Sequence, residues 1–270
     1  MKRFKKNKLA MIGLIALTFF ALVAIFAPVL APYDPSEIIT SDTQAPSLSH
    51  LFGTDDLGRD VFSRAVHGAR ISLTVGFVAV IIAILVGTVF GAVSGFYGGL
   101  TDSTIMRFVD IMLAFPSIFL ILAIQVMLKP NIYNVMVVIG LTSWMGVSRL
   151  VRGEFLTIKE RQYVEAARAI GANDIRIIFL HILPNAMPPL IVAATLGMAG
   201  AILTESALSF LGLGVQPPTS SWGNMLMDSQ AYLIDAPWMA VIPGILILVT
   251  VLSLYFVGEG LREEFSPREG

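Results

Sequence analysis

Long apolar runs separated by shorter polar segments dominate the chain, at 9–31, 71–93, 108–128, 134–151, 186–208 and 238–258. Each approaches or exceeds the roughly 20 residues that a helix needs to cross a bilayer. Lipid offers no partner to a free N–H or C=O, and the runs are too long and too unalternating for barrel strands, so they are expected to be helices. The fourth departs most from the pattern, because Thr142, Ser143 and Ser148 interrupt it. The expected fold class is all-α, a polytopic membrane protein with six transmembrane helices. The longest connections are 32–70, 152–185 and 209–237, and none is large enough to fold as a separate domain.

Small residues recur at four-residue spacing inside two runs, as Gly87, Gly91 and Gly95 and again as Ala193, Gly197 and Ala201. Such stripes form grooves into which another backbone fits closely. Packing within the chain is the plainer reading, and a moving seam against another subunit is the sharper one. Pro116 and Pro243-Gly244 lie inside runs and should free carbonyls or kink the helix.

Among the connections, 152–185 carries the most information. From Glu160, apolar residues fall at Tyr163, Ala166, Ala167 and Ile170, the stripe of one helical face. Arg161, Glu165 and Arg168 sit on the opposite face, spaced to pair. Gly171 then ends the helix by supplying a left-handed turn. Asn173 or Asp174 can cap a second short helix with the stripe Ile175, Ile178, Phe179 and Ile182. Pro184 closes that helix, and Pro188-Pro189 open the next span. Such a pair either lies on the membrane interface or forms a knob that a partner grips.

Composition supports the membrane reading. Of 270 residues, 56% are hydrophobic and 14% charged, against roughly 25% charged in a soluble domain. Mean hydropathy is +0.79. With no cysteine and a net charge of −1, a disulfide scaffold and a nucleic-acid-binding module are excluded. The first run, 23 residues from Leu9 to Ala31, outlasts a signal-peptide core of roughly 7–15 residues, and it reads as a retained span. Orientation follows the basic residues. With the amino terminus inside, 14 of the 18 Lys and Arg fall on inner segments, and only Arg59, Arg64, Arg70 and Lys129 fall outside. Both termini are therefore expected in the cytoplasm.

Little in the chain suggests catalysis. The three histidines, His50, His67 and His181, have no metal-ligand spacing. His50 and His67 share the outer segment and read as solvated loop residues. None of the six lysines follows a glycine, so a phosphate-cradling P-loop is lacking and no catalytic or metal-binding residue is expected. Glu205 is the most deeply placed acid, and a carboxylate at that depth costs roughly 2.5–3.5 kcal/mol unless it faces protein or water. It reads either as a group bonded to polar neighbours such as Thr204 and Ser206, or as part of a transport path near the outer end of its span. Asp110 lies close to Arg107 on one helix face. A secondary transporter or channel is disfavoured, since no inverted repeat is visible. An intramembrane hydrolase is disfavoured too, since neither His67 nor His181 reaches membrane depth beside a nucleophile.

The run Glu165-Ala166-Ala167, then Gly171, then Leu183-Pro184, on an inward-facing segment, resembles the EAA loop of ABC importer permeases. Gly53-Thr54-Asp55-Asp56-Leu57-Gly58-Arg59-Asp60, continuing through Ser63-Arg64 to Gly68-Ala69-Arg70-Ile71-Ser72-Leu73, is similar to the start of C-type subunits of the dipeptide/oligopeptide/nickel family. Ala114-Phe115-Pro116, Ser209-Phe210-Leu211-Gly212-Leu213-Gly214 and Trp222-Gly223 extend the likeness over nearly the whole chain. The tail, with Leu261-Arg262-Glu263 and Ser266-Pro267-Arg268, departs from the family pattern.

The resemblance implies a tail, first span and outer loop at 1–68, a five-helix transport core at 69–258 and a cytoplasmic tail at 259–270. It implies that Tyr163, Glu165, Ala166, Ala167, Gly171, Leu183 and Pro184 form a coupling helix seated in an ATPase cleft. Expected partners are a homologous second permease subunit, two ATP-binding cassette ATPases, an extracytoplasmic solute-binding protein and membrane lipid. The chain itself would bind no cofactor, ATP and Mg belonging to the ATPases. The implied role is a non-enzymatic transport subunit in the plasma membrane of a prokaryote. Peptide is the implied cargo, with nickel or a metal chelate as the alternative.

Overall fold

The computed structural model describes residues 2–128 and 131–266. Lys129, Pro267 and Arg268, counted above, lie outside them. The chain runs α1 (Lys2–Lys6), α2 (Lys8–Ile25), α3 (Ala27–Leu30), α4 (Val61–Tyr97), α5 (Gly99–Ala114), α6 (Ser117–Met127), α7 (Ile132–Ile158), α8 (Gln162–Ala169), α9 (Asp174–Arg176), a π turn (Ile177–Ile182), α10 (Leu183–Phe210), α11 (Trp222–Asp228) and α12 (Trp238–Phe265). Among the described residues the β structure is one isolated bridge between Thr54 and Asp60.

Five helices, α2, α4, α7, the run from Asp174 to Phe210 and α12, are each long and apolar enough to cross a membrane. The expected third span differs. It is two helices, α5 and α6, meeting at 82°. The break sits at Phe115-Pro116, where Phe115 takes an extended conformation at φ −87° and ψ 130°. Pro116 lacks the N–H that would continue the ladder, and its ring forces the preceding residue out of the helical region. Pro243, near the start of α12, leaves that helix unbroken.

The most extensive helix contact joins α4 to α7. The glycine stripe makes it possible. A Cβ at Gly87 would lie 2.8 Å from the Trp144 carbonyl oxygen, one at Gly91 2.5 Å from that of Ser148, and one at Gly95 2.9 Å from that of Arg152. This stripe therefore packs within the chain. The second differs: Gly197 is exposed and has Val80 as its neighbour, leaving a shallow recess. The fourth run, the least apolar, is the best covered, with 56% of its window buried. Two of its three hydroxyls cost little there, since Thr142 and Ser143 donate to the carbonyls of Val138 and Ile139 one turn back, while the Ser148 hydroxyl is buried without a partner among the described residues.

The C-terminal ends of α4 and α7 are tied to α5 and to each other by ions and hydrogen bonds. Arg152 grips Asp102 of α5 through two 2.6 Å bonds, and Lys159 Nζ donates to the Gly95 carbonyl at 3.1 Å. Asp110 pairs with Arg149 of α7 rather than with Arg107, because α7 crosses directly opposite that face. At the chain ends, the Arg3 and Phe4 amides donate to Glu264 at 2.8 Å, and Asn7 donates to Glu263 at 2.9 Å. The first and last described helices thus meet at one end of the bundle.

At its N-terminal end, α4 begins ten residues earlier than the apolar run, at Val61, so 61–70 is helix rather than loop. Asp60 caps it, accepting from the Ser63 amide and hydroxyl, each at 2.8 Å. The motif preceding it forms a buried ionic cage. Asp55 accepts from Arg59 Nε at 2.7 Å and from Arg64, while Asp228 of α11 accepts from Arg64 at 2.9 Å and from Arg59 at 3.1 Å. Neighbouring Asp56 has its carboxyl pushed up by burial first, and by Asp55 and Asp228 second. His50 is not solvated as expected. It is 5% exposed, with Nδ1 3.0 Å from Asp60, because the loop folds back over the start of α4. His67 is half-buried and donates from Nδ1 to the Ser63 carbonyl at 3.0 Å.

Candidate functional site

The segment after α7 is a helix, a sharp turn and a second helical run. α8 ends at Ala169 with Ile170 as its C-cap, and Gly171 takes φ +85°. The Ala172 amide donates to the Ala167 carbonyl at 3.0 Å and the Gly171 amide to that of Arg168 at 2.9 Å. This bond pair closes a helix on a left-handed glycine. Asn173 caps the next helix, accepting from the Arg176 amide at 2.8 Å. Asn173→Ala should cost about 1 kcal/mol of local stability. Faster amide exchange over residues 174–177, with the bundle unchanged, is the expected measurement.

The faces differ from the expected ones. Val164, fully buried, joins Phe96, Phe155, Ile158, Ile177 and Ile182 in one core cluster, and Ala167 is 5% exposed. Tyr163, Glu165, Ala166 and Ile170 are exposed instead, Ile170 at 87%. The helix is short and rests on a keel of two residues, so most of its expected apolar stripe faces outward. No ion pair among the described residues joins Arg161, Glu165 and Arg168. Arg168 instead lies over the Phe96 ring, 5.7 Å from its centroid, linking α8 to the end of α4.

Pro184 does not close the second helix. The backbone widens into the π turn, where the Leu183 amide donates to the Ile178 carbonyl five residues back, and continues into α10 with Pro184 in its first turn. The wider turn relieves the clash that a proline ring makes with the preceding turn. It also changes which side chains align. Ile177 and Ile182, five apart, are buried together with Ala186 and Leu190, while Ile175 and Phe179 are exposed. The spacing of five, then four and four, was the available sequence signal. Leu183 is half-buried at the base of the loop, packed on the same cluster.

Glu205 lies elsewhere, fully buried near the far end of α10. Ser209 donates to Oε1 at 2.7 Å and Ser72 to Oε2 at 3.3 Å, with Ser206 at 3.5 Å. Those hydroxyls also accept backbone amides, Ser209 from Val215 at 3.0 Å and Ser72 from Trp222 at 3.2 Å. One carboxylate thereby holds both ends of the loop 215–222 against α4 and α10. Gly214 and Gly223 permit the approach, since a Cβ at Gly223 would lie 2.6 Å from Ser206 Cα. Among the described residues, no group of three His, Cys, Asp or Glu could hold a metal ion.

The fold is a helical bundle in which five helices are long and apolar enough to cross a membrane, with an ordered helix–turn–helix between α7 and α10. Residues 87–268 match the family of binding-protein-dependent transport system inner membrane components, and residues 1–48 match the N-terminal TM domain of oligopeptide transport permease C. The chain belongs to this family, as an ABC importer permease of the dipeptide/oligopeptide branch. It is 48% identical to the dipeptide transport system permease protein DppC of Alkalihalophilus pseudofirmus, across 99% of this chain and 88% of that one. It is 42% identical to the oligopeptide transport system permease protein OppC of Bacillus subtilis, across 99% and 88%. The glutathione transport system permease protein GsiD of Escherichia coli is 41% identical across 99% and 89%. In fold it resembles a chain of the inward-facing MetNI methionine ABC transporter, at TM-score 0.62 and 20% identity, covering 76% of this chain and 97% of that one.

Proposed function

We propose that the chain is the pathway-forming subunit of an ATP-driven peptide importer, working by alternating access. It pairs with a homologous second permease, two ATPases that bind ATP and Mg, and an extracytoplasmic solute-binding protein. Both termini lie in the cytoplasm of a prokaryotic cell. The observation that carries the reading is the loop at 159–183: its keel is set in the core shared by α4, α7 and α10, while Tyr163, Ala166 and Ile170 are left uncovered. A helix buried on one side in the helices that must move, and apolar on the other, can pass a push from a partner into the bundle. Peptide cargo is favoured because the dipeptide, oligopeptide and glutathione permeases align over nearly the full chain. Glu205, enclosed by serines, acts in this scheme by holding the loop 215–222 at the pathway's outer end.

The test is reconstitution of the four kinds of subunit in liposomes with a labelled dipeptide or nickel outside. ATP-dependent dipeptide accumulation requiring the binding protein is expected. Nickel uptake with no peptide uptake would overturn the cargo assignment, and saturable ATP binding by this chain alone would overturn the division of labour.

A further inference from the structure

Helix α2 has two unlike faces. Ala10, Gly13, Phe20 and Ala24 are buried on the side that packs on α12 and α4. Gly13 permits the approach, since a Cβ there would lie 2.7 Å from the Ser253 carbonyl oxygen. The other side carries Lys8, Ile12, Ile15 and Phe19, spaced four, three and four residues apart, which makes them one continuous strip of helix surface. All four are exposed, the apolar three at 59%, 64% and 60%. Only 17% of the α2 window is buried, against 33% or more in the other four spans. On a membrane-crossing helix, a bare strip of large apolar side chains is covered by lipid.

The head of this strip is basic and held in place. Lys5 and Lys6 of α1 stand immediately before Lys8, and all three are exposed. Phe4, buried, anchors α1 against α12, where Gly260 leaves room for it: a Cβ there would stand 3.0 Å from the Phe4 ring. The acids at the end of α12 are engaged elsewhere. Glu264 accepts from the Arg3 and Phe4 amides, Glu263 from Asn7, and Glu259 from Arg262 at 2.7 Å. No ion pair among the described residues reaches Lys5, Lys6 or Lys8. Three uncompensated cations thus stand where a span leaves the hydrocarbon, the place at which basic clusters attract anionic headgroups. From Lys8 to Phe19 the helix rises about 17 Å. That matches the roughly 15 Å hydrocarbon depth of a single leaflet.

We infer that Lys5, Lys6 and Lys8, together with the bare strip of α2, form a binding site for an anionic phospholipid. Its phosphate meets the ammonium groups, and an acyl chain lies along Ile12, Ile15 and Phe19. This goes beyond the importer reading and does not depend on it. The experiment uses the chain purified with its associated subunits, in phosphatidylcholine nanodiscs. The chain has no cysteine, so Ile12→Cys supplies a single site for a fluorophore. Its quenching by spin-labelled phosphatidylglycerol is compared with quenching by spin-labelled phosphatidylcholine. The anionic lipid is expected to reach half-quenching at about a fivefold lower mole fraction. Replacing the three lysines by glutamine should abolish that preference, and replacing them by arginine should keep it. A further measurement needs no charge variant: raising salt from about 0.05 to 0.5 M should remove most of the preference, because exposed charges are screened. Inorganic phosphate at millimolar concentration should not displace the lipid, because it lacks the chain that lies on α2. Equal quenching by the two lipids at low salt, a preference that survives the glutamine changes, or displacement by phosphate would overturn the site. So would the absence of quenching by either lipid, which would show α2 covered by another subunit. Each of these outcomes leaves the importer reading standing, since lipid contact and not transport is measured.

Discussion

Gly171→Val is expected to remove most substrate uptake while leaving the chain in the membrane at normal abundance. A Cβ at position 171 meets no atom within 4 Å, so crowding is not the cause. The cause is φ +85°, a conformation that a β-branched residue adopts only at a cost of about 1–3 kcal/mol. Relief requires the turn to reopen, which breaks the Ala172 and Gly171 amide bonds and swings α8 relative to the π turn. The disturbance reaches the bundle only through Val164 and Ala167, and the α4–α7 seam along the glycine stripe is untouched. Uptake and ATPase retention at matched expression are the measurements, and normal values for both would defeat the coupling role. The structure separates two neighbouring tests. Ala166→Trp enlarges an exposed face and should reduce ATPase retention, whereas Ala167→Trp overfills a site against the chain's own core and should lift α8 from its keel. A helix resting on lipid headgroups would tolerate the first and suffer from the second.

Gly91→Leu is expected to leave little folded protein. The side chain would enter the α4–α7 seam where even a Cβ stands 2.5 Å from the Ser148 carbonyl oxygen and 2.7 Å from the Val151 Cβ. Overpacking of side chains alone costs about 1–3 kcal/mol. Here one obstacle is backbone, so the helices must separate along their length. Abundance in membranes and thermal unfolding in detergent report the effect. The sign can be isolated with two identical substitutions. Gly91→Ala should lower the unfolding temperature, whereas Gly153→Ala on α7, where a Cβ meets nothing within 4 Å, should raise it slightly through helix propensity.

The apolar runs, the presence of the small-residue grooves and the turn at Gly171 were legible because they follow from local rules, whereas which grooves pack within the chain was left open. Bilayer thickness sets run length, a missing Cβ marks a close approach or a left-handed turn, and an Asn side chain reaches an amide three residues on. A kink was expected alike at Pro116 and at Pro243-Gly244, yet only the first breaks its helix, at 82°, since a proline weakens the ladder and the surroundings decide whether the helix stops.

What depended on distant partners stayed hidden. The keel of α8 is Val164 and Ala167 because Phe155, Ile177 and Ile182 converge there from α7 and the π turn, and no spacing within 160–170 reveals that convergence. The π turn itself shifts the register of the buried face by one residue, which a period of 3.6 cannot show. His50 reads as a solvated loop residue until the loop is seen to fold back onto Asp60, and Arg59 and Arg64 read as two outer charges until Asp228, more than 160 residues away, completes their cage. The amino-acid sequence alone determined that this is a helical membrane chain with a structured segment between its fourth and fifth apolar runs, because water, lipid and backbone stereochemistry act on each residue where it stands. Only the tertiary structure decided which face of that loop is free and what fastens the segment before α4, because burial and ion pairing are properties of residues brought together from far apart in the chain.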